Sequence, residues 1–295
     1  MKKKYQLALC AMTLANAALA GEMGPSSLVN QGFFVGIGGS YNSVSLNNQS
    51  IYGKGVNNAY LGPILTSSGS ASGYSNPFYQ TQTLFSPHGQ AGYSRYFNDG
   101  VNFWGIKFSY DYLDTHFSDN NMTIEQAGSN YNEITGATTY FTGNYAVESV
   151  QTSVNHELLL LAYIGHSFNK HCSVYLGAGP SLLGMQSNIY HLIGYADYDG
   201  MPGTDISGAP VNLSKSMWEW GGAGQIGVTY AVNTSWYLDF NYTYARVPKN
   251  TIKYVSPFTN QIGPDHLVGT SYINPSQGAT VQSFGVSVNK IFQGV

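Results

Sequence analysis

The chain contains 295 residues, and only 9% of them are charged, against the quarter that is usual in globular domains. Its formal net charge at pH 7 is −3, and its lysines are scattered, so we expect no nucleic-acid partner. Glycine and tyrosine are abundant, with 35 and 24 copies. No stretch after Gly21 approaches the roughly 18 consecutive apolar residues of a transmembrane helix.

The amino terminus has the pattern of a signal peptide. Three lysines follow the initial methionine, an apolar run comes next, and small residues end the segment. We predict a signal peptide at 1–20, cleaved between Ala20 and Gly21, and a single exported domain at 21–295 that begins with a periplasmic arm at 21–31. Cleavage removes three of the twelve basic residues and leaves nine against fifteen acidic ones, a formal charge of −6.

The exported domain keeps one cysteine, Cys172, because Cys10 lies in the predicted signal peptide. A single cysteine cannot form an internal disulfide. We interpret Cys172 as a structural thiol, and a cross-link to a second chain is the alternative.

Eight segments of the domain alternate with a period of two, which indicates β-strands. In chain order they cover residues 32–44, 84–97, 101–113, 154–168, 172–183, 218–231, 236–246 and 278–292. Tight links and long polar connections alternate between the segments, and the long ones are interpreted as loops. The tight links lie near 98–100, 169–171 and 232–234. The predicted loops cover 45–83, 114–153, 184–217 and 247–277.

The direction of the alternation predicts a membrane environment. Across the hairpin at 218–246, one parity is apolar with aromatic ends, while the other carries Glu219 and Asp239. A strand with lipid outside and a polar interior has this pattern. The predicted lipid-facing residues are Trp104, Ile106, Phe108, Tyr110, Trp220, Ile226, Val228, Trp236, Leu238, Phe240 and Tyr242. The predicted polar network of the lumen consists of Lys107, Asp111, Glu157, Glu219, Gln225 and Asp239.

An exported chain without a transmembrane helix can span lipid only as a closed barrel. We therefore predict an all-β fold in the bacterial outer membrane: a transmembrane, antiparallel, up-and-down β-barrel of eight strands, with short periplasmic turns and four long extracellular loops. A ten-stranded barrel with an extra hairpin at 189–198 is the alternative. Because the lumen of an eight-stranded barrel only just accommodates side chains, we expect a structural network there rather than a porin, with a proton or ion path as the alternative.

The exported chain resembles, over essentially its whole length, the barrel domain of small eight-stranded outer-membrane proteins of the OmpA and OmpX type. The resemblance rests on the alternating segments and on the C-terminal strand, where Phe284, Val286, Val288 and Phe292 match the pattern that the assembly machinery reads in that family. Lys290 departs from this pattern. The resemblance implies that outer-membrane lipid, lipopolysaccharide and the barrel assembly machinery are partners.

The predicted loops carry the functional expectation, because the wall of a small barrel faces lipid and its lumen is filled. Aromatic side chains dominate binding energy at interfaces, and the loops contain Tyr140, Phe141, Tyr190, Tyr195 and Tyr198. We expect surface-exposed loops that mediate adhesion or partner binding through an extracellular ligand. A purely structural envelope barrel is the alternative.

A lipid or peptide hydrolase at the outer rim is a weaker third hypothesis. His116 and Ser118 share one face of an extended segment, and Asp114 lies close in sequence. His191 and His266 stand singly, without the spacing of metal ligands. We predict no enzymatic activity and no catalytic, cofactor-binding or metal-binding residues.

Overall fold

The computed structural model describes residues 31–97 and 100–292, and β-strands make up nearly all of this part of the chain. No helix within these two ranges is long and apolar enough to cross a membrane. The ranges contain eleven strands: β1 (Gly32–Leu61), β2 (Ile64–Tyr74), β3 (Phe78–Phe97), β4 (Asn102–Asn132), β5 (Thr138–Ser167), β6 (Cys172–Tyr198), β7 (Met201–Asp205), β8 (Val211–Ala231), β9 (Trp236–Thr251), β10 (Tyr254–Ile262) and β11 (Asp265–Phe292).

Eight of the strands form a closed ring of antiparallel pairs. Each hydrogen-bonds to the next in the order β1, β3, β4, β5, β6, β8, β9 and β11. The ring closes where β11 pairs with β1, from Phe33↔Phe292 to Leu61↔Asp265. Both ends of the described chain and the short connections before β4, β6 and β9 lie at one end of the ring, which we call the near end. The hairpins β1–β2, β4–β5, β6–β7 and β10–β11 turn at the opposite end, which we call the distal end.

Side chains in the near half alternate between the outside and the inside of the ring, because successive residues of a strand point to opposite faces. In β8, Ile226 and Val228 are 57% and 44% exposed, whereas Gln225 is 3% exposed. The same alternation runs along β9 and β11. The near half is therefore a wall with an apolar belt outside and polar side chains inside.

The two faces exchange character halfway along β4. Toward the near end, Trp104 points outward and Lys107 is buried inside the ring. Beyond Tyr112, the exposed outward position is held by His116, and the buried inward position by Phe117. The distal half thus has a polar exterior and an apolar core, as a water-soluble domain has.

The segments interpreted as loops are continuations of the ring strands. β4 and β5 stay paired from Asn102↔His166 to Tyr131↔Thr138, and the short strands β2, β7 and β10 widen the distal sheet. The expected total of eight strands, like the alternative of ten, is therefore corrected to eleven, of which eight form the ring. Outside lipid the outward positions can be polar, so these segments lack the apolar alternation that marks the near half.

The extra hairpin expected at 189–198 is also corrected, because these residues belong to β6. The chain reverses immediately afterwards, at Asp199 and Gly200, whose φ angles are +48° and +76°. Positive φ at both central residues is the requirement of a type I′ turn, and an Asp-Gly pair meets it well. This turn carries the chain from β6 into β7.

Candidate functional site

A buried ion pair lies in the lumen of the near half. Lys107 on β4 and Asp239 on β9 face each other with 3.2 Å between Lys107 Nζ and Asp239 Oδ2. The hydroxyl of Tyr175 on β6 donates a hydrogen bond of 2.8 Å to Asp239 Oδ1 and accepts one of 2.9 Å from Lys107. The three strands thus hold both charges in a fixed, desolvated geometry, which is the condition under which a buried pair is tolerated.

A second buried carboxylate, Asp111, is bound by residues that the sequence analysis did not single out. His88 Nδ1 lies 3.0 Å from Asp111 Oδ2, and the Ser40 hydroxyl donates a hydrogen bond to Oδ1. Gln90 donates a hydrogen bond of 3.2 Å to Asp239 and so links the two carboxylates' surroundings. His88 and Gln90 share the inward parity of β3, and this spacing was the signal that could have identified them.

Five of the six predicted lumen residues are buried inside the near half, namely Lys107, Asp111, Glu157, Gln225 and Asp239. Gln225 donates hydrogen bonds to Asn241 (3.2 Å) and Thr243 (2.7 Å). Glu157 differs from the others, because neither of its carboxylate oxygens has a hydrogen-bond partner among the described residues.

Glu219 is a correction to the predicted network. Both of its oxygens accept hydrogen bonds of 2.8 Å from Nδ2 of Asn250, in an exposed position. β8 and β9 pair only as far as Gly222↔Arg246, so Glu219 lies distal to the lumen network. Alternation placed it on the correct parity but could not give its height along the strand.

Apolar side chains fill the ring, most of them distal to the buried charges and two of them, Leu159 and Leu161, level with Lys107 and Ser109, and we call them the apolar plug. They are Val44, Leu46, Leu113, Phe117, Val154, Leu159, Leu161, Leu183, Met185, Ala223, Ala245, Val247, Ala279 and Val281. A second apolar cluster, which includes Ile124, Ile189 and Ile273, follows toward the distal end. Because a close-packed apolar layer leaves no room for a water column, we expect no continuous aqueous path through the lumen.

The plug predicts that the protein does not conduct ions across a bilayer. In planar lipid bilayers, the purified protein should give no steady single-channel current at moderate voltage, because an ion would have to cross the apolar plug without its hydration shell. A porin reconstituted in the same bilayer is the positive control. A reproducible ohmic conductance that scales with protein concentration would contradict a closed lumen.

A cavity of about 640 Å³ lies at the distal end of the ring, and we call it the cup. Six aromatic residues from three hairpins stand at it: Phe141, Tyr145, Tyr198 and Phe258 on the inward parity of their strands, and Tyr140 and Tyr195 on the outward parity. Tyr145 also belongs to the second apolar cluster, which therefore forms the floor of the cup. Its volume lies within the range of about 300–1,000 Å³ that is usual for small-molecule sites.

Three acidic residues stand among the lining residues of the cup: Asp265 on the inward parity of β11, Asp199 in the turn after β6, and Asp197, whose carboxylate lies on the outer face of the sheet beside Thr142. The Tyr198 hydroxyl donates a hydrogen bond of 2.8 Å to Asp265 Oδ2. Partial burial and then this carboxylate raise the pKa of Tyr198, because both oppose formation of a phenolate. Thr142 donates a hydrogen bond of 3.2 Å to Asp197 Oδ2. The wall of the cup is thus both aromatic and acidic.

The structure brings together most of the aromatic residues expected to act in binding. Tyr140, Phe141, Tyr195 and Tyr198 all line the cup, whereas Tyr190 does not. The sequence analysis missed Phe258 and the three carboxylates. These residues stand in segments without periodicity, so only the pairing of β6, β7, β10 and β11 reveals that they are neighbours.

The residues of the hydrolase hypothesis are not assembled as expected. His116 Nδ1 lies 2.9 Å from Ser153 Oγ, and His116 Nε2 lies 3.3 Å from Asp114 Oδ1. Ser118 instead hydrogen-bonds to Asn120. Ser153 is only 9% exposed, so a substrate would have little access to its hydroxyl. Within the described residues, no group of three or more His, Cys, Asp or Glu side chains could hold a metal ion.

The predicted lipid-facing residues all lie on the outer parity of their strands, either exposed or half-buried. In β11, Phe284, Val286, Val288 and Phe292 form an exposed outer row. Lys290 belongs to the same row, and its Nζ lies 5.6 Å from the centre of the Trp236 ring. This contact accommodates the charge that departs from the family pattern.

Two further predictions concern the cleavage site and Cys172. The predicted cleavage site at Ala20 and Gly21, with the periplasmic arm, lies outside the described residues. Cys172 is a free, half-buried thiol at the start of β6.

Several solved structures of bacterial outer-membrane proteins are similar to the chain. OprG of Pseudomonas aeruginosa is 11% identical, with a TM-score of 0.37 over 91% of this chain and 100% of that one. Neisserial surface protein A is 14% identical, with a TM-score of 0.29 over 84% and 99%. Ail, the attachment invasion locus protein of Yersinia pestis, is 11% identical, with a TM-score of 0.24 over 82% and 98%. TM-scores of this size assign no function. No protein-family model matches the sequence, and no curated protein matches it.

Proposed function

We propose that the protein is an outer-membrane β-barrel that binds an extracellular ligand or partner in its distal cup. The near half supplies the membrane-spanning part. Its apolar outer belt on β4 runs from Trp104 to Tyr112, which matches the 9–11 residues or so that a tilted strand needs to cross a bilayer. The closed ring leaves no unpaired strand edge in lipid, as the bilayer requires.

The orientation follows from the lengths of the connections. Outer-membrane barrels have short periplasmic turns and long extracellular segments, so the near end lies in the periplasm and the cup faces the exterior. The outer belt contacts lipid and lipopolysaccharide, and the exposed apolar row of β11 is the strand that the assembly machinery engages. Eight strands cross the membrane, in the OmpA and OmpX manner, while β2, β7 and β10 remain above it.

The observation that carries the binding function is the position of the cup above a sealed lumen. A cavity of about 640 Å³ that combines aromatic and polar lining residues has the size and chemistry of a ligand site, and a purely structural barrel does not need it. The apolar plug beneath it closes the way to the lumen. A ligand that enters the cup therefore stays on the outside of the cell, which favours binding or adhesion over uptake.

Shortening the third distal hairpin tests this function. Residues 193–210 are replaced by a tight turn between Leu192 and Val211, which are already paired. This change removes Tyr195, Tyr198 and one wall of the cup. The barrel should still insert and still migrate differently on gels before and after boiling, because the ring strands are intact. Cells that display the variant should lose the adhesion to cultured host cells that the intact protein confers.

An epitope of equal length inserted in the near-end turn at 232–235 is the matched control. It should leave adhesion unchanged and be hidden from antibody in intact cells, whereas an epitope at Asp199–Gly200 should be accessible. Undiminished adhesion by the shortened variant would favour the purely structural alternative. A near-end epitope that antibody reaches in intact cells would reverse the proposed orientation.

A further inference from the structure

We propose that the cup binds a small organic cation that also carries a hydrogen-bond acceptor, with its ammonium group seated among the aromatic rings. The inference rests on the proposed function, since it names the ligand chemistry of the same cavity. Three independent features of the cup support it: the sign of its charge, the chemistry of its apolar surface, and an unsatisfied donor in its wall.

The charge of the cup selects a cation. Asp197, Asp199 and Asp265 line it, and no lysine, arginine or histidine stands among the lining residues that the structure describes. The carboxylates of Asp197 and Asp265 have partners in Thr142 and Tyr198. That of Asp199 has neither a hydrogen bond nor an ion pair to any other residue of 31–97 and 100–292. It is free to neutralise a ligand charge.

The aromatic rings favour an organic cation over a metal ion. A cation within about 6 Å of a ring centroid is attracted by the negative face of the ring, and quaternary ammonium groups are recognised in this way. Phe141, Tyr198 and Phe258, on the inward parity of their strands, supply aromatic rings there. A hard metal ion would instead need several oxygen ligands at about 2.0–2.6 Å. The described carboxylates form no group able to hold one.

Gln126 in the wall of the cup indicates that the ligand also accepts a hydrogen bond. Its side chain is only 9% exposed and lies on the inward parity of β4, among the lining residues. Its Nε2 has no hydrogen-bond partner among the described residues. A buried amide donor without a partner is unfavourable, and a hydroxyl or carboxylate oxygen on the ligand would satisfy it.

Choline is a probe that combines both features, and 3,3-dimethylbutan-1-ol is its neutral isostere. Saturation-transfer NMR on the intact protein in a maltoside detergent compares the two at equal concentration. We expect a clear signal for choline and a signal at least about threefold weaker for the alcohol. Salt should reduce the choline signal, because about 1 M salt screens exposed charges that are separated by more than about 3 Å. Equal signals for both probes, or none for choline, would overturn the inference.

Matched variants localise the effect. Asp199→Asn should weaken choline binding about threefold, the scale of an exposed ion pair, without disturbing a fold to which its carboxylate contributes no bond. Glu125→Gln removes the same charge from the neighbouring outward position of β4, outside the cup, and should leave binding unchanged. Gln126→Leu should weaken the binding of choline but not that of tetramethylammonium, which has no hydrogen-bond acceptor. Equal loss in the Asp199 and Glu125 variants would show a general charge effect and refute the site.

Phosphocholine distinguishes a free amine from a lipid headgroup as the source of the cation. Because the wall of the cup is acidic, we expect phosphocholine to bind more weakly than choline; tighter binding would identify a headgroup. This experiment is separate from the adhesion assay. If hairpin shortening abolishes adhesion while choline gives no signal, the binding function stands and the cation inference fails. If choline binds but adhesion is unchanged, the proposed adhesive role fails instead.

Discussion

Replacing Asp239 with alanine is expected to destabilise the barrel by about 3–5 kcal/mol, the range for breaking a buried ion pair by removing one partner. The change leaves the ammonium group of Lys107 in the lumen without the carboxylate that lies 3.2 Å away. It also removes the acceptor of the Tyr175 hydroxyl. The measurement is reversible urea unfolding of the purified protein in lipid vesicles. The folded fraction is monitored by the heat-modifiable mobility of the protein on gels.

The double variant Lys107→Met, Asp239→Leu is the matched control. It removes both charges and keeps the volume of the lumen, so it should be much closer to the native protein than Asp239→Ala. Gln282→Ala, on the outer parity of β11, should cost little. An Asp239→Ala barrel with native stability would show that water reaches Lys107, and the desolvated state of the ion pair would then be wrong.

Replacing Ile226 with arginine is expected to impair assembly in the membrane, because arginine at the bilayer midplane costs about 2–4 kcal/mol. Ile226 is 57% exposed on the outer belt, and its neighbours Leu176 and Tyr242 across the strands are apolar or aromatic. The yield of heat-modifiable protein in the outer-membrane fraction is the measurement. We expect most of the variant to be degraded or unfolded.

Two variants separate this lipid effect from other causes. Ile226→Ala removes the side chain without adding charge and should assemble nearly normally, since its outward position is not packed in a core. Thr229→Asn lies on the inward parity, beside a small cavity of about 50 Å³, and should be tolerated. If Thr229→Asn impaired assembly as strongly as Ile226→Arg, the distinction between the outer and inner faces would fail.

The near half of the fold was predictable because lipid imposes a pattern on the sequence. Most outward positions there are apolar, so Trp104 or Ile226 stands out from its polar neighbours at a period of two. The distal half was not predictable in this way. Because water surrounds the distal half, residues such as His116 can occupy its outward positions. The sequence of these segments therefore resembles that of loops, although backbone pairing keeps them extended.

The candidate site was predictable only in its composition. Tyr195 and Tyr198 were recognisable as candidate binding residues, because tyrosine in a polar segment has no obvious core to enter. Asp265 and Gln126 were not, since they join the cup through pairings between strands far apart in sequence. Register across a closed ring is a global property, and no local signal in either segment encodes it.

The exchange of faces along β4 also determines how deeply the molecule sits in its membrane. A shift of the barrel toward the near end would bring the outward His116 into hydrocarbon. A shift in the other direction would expose Tyr112 and its apolar neighbours to water. Both shifts are unfavourable, and the residues that oppose them lie at the same level of β4. The sequence therefore defines the level of the membrane boundary on the molecule. In the proposed orientation, the floor of the cup stays at a fixed height outside the membrane, clear of the surrounding lipid.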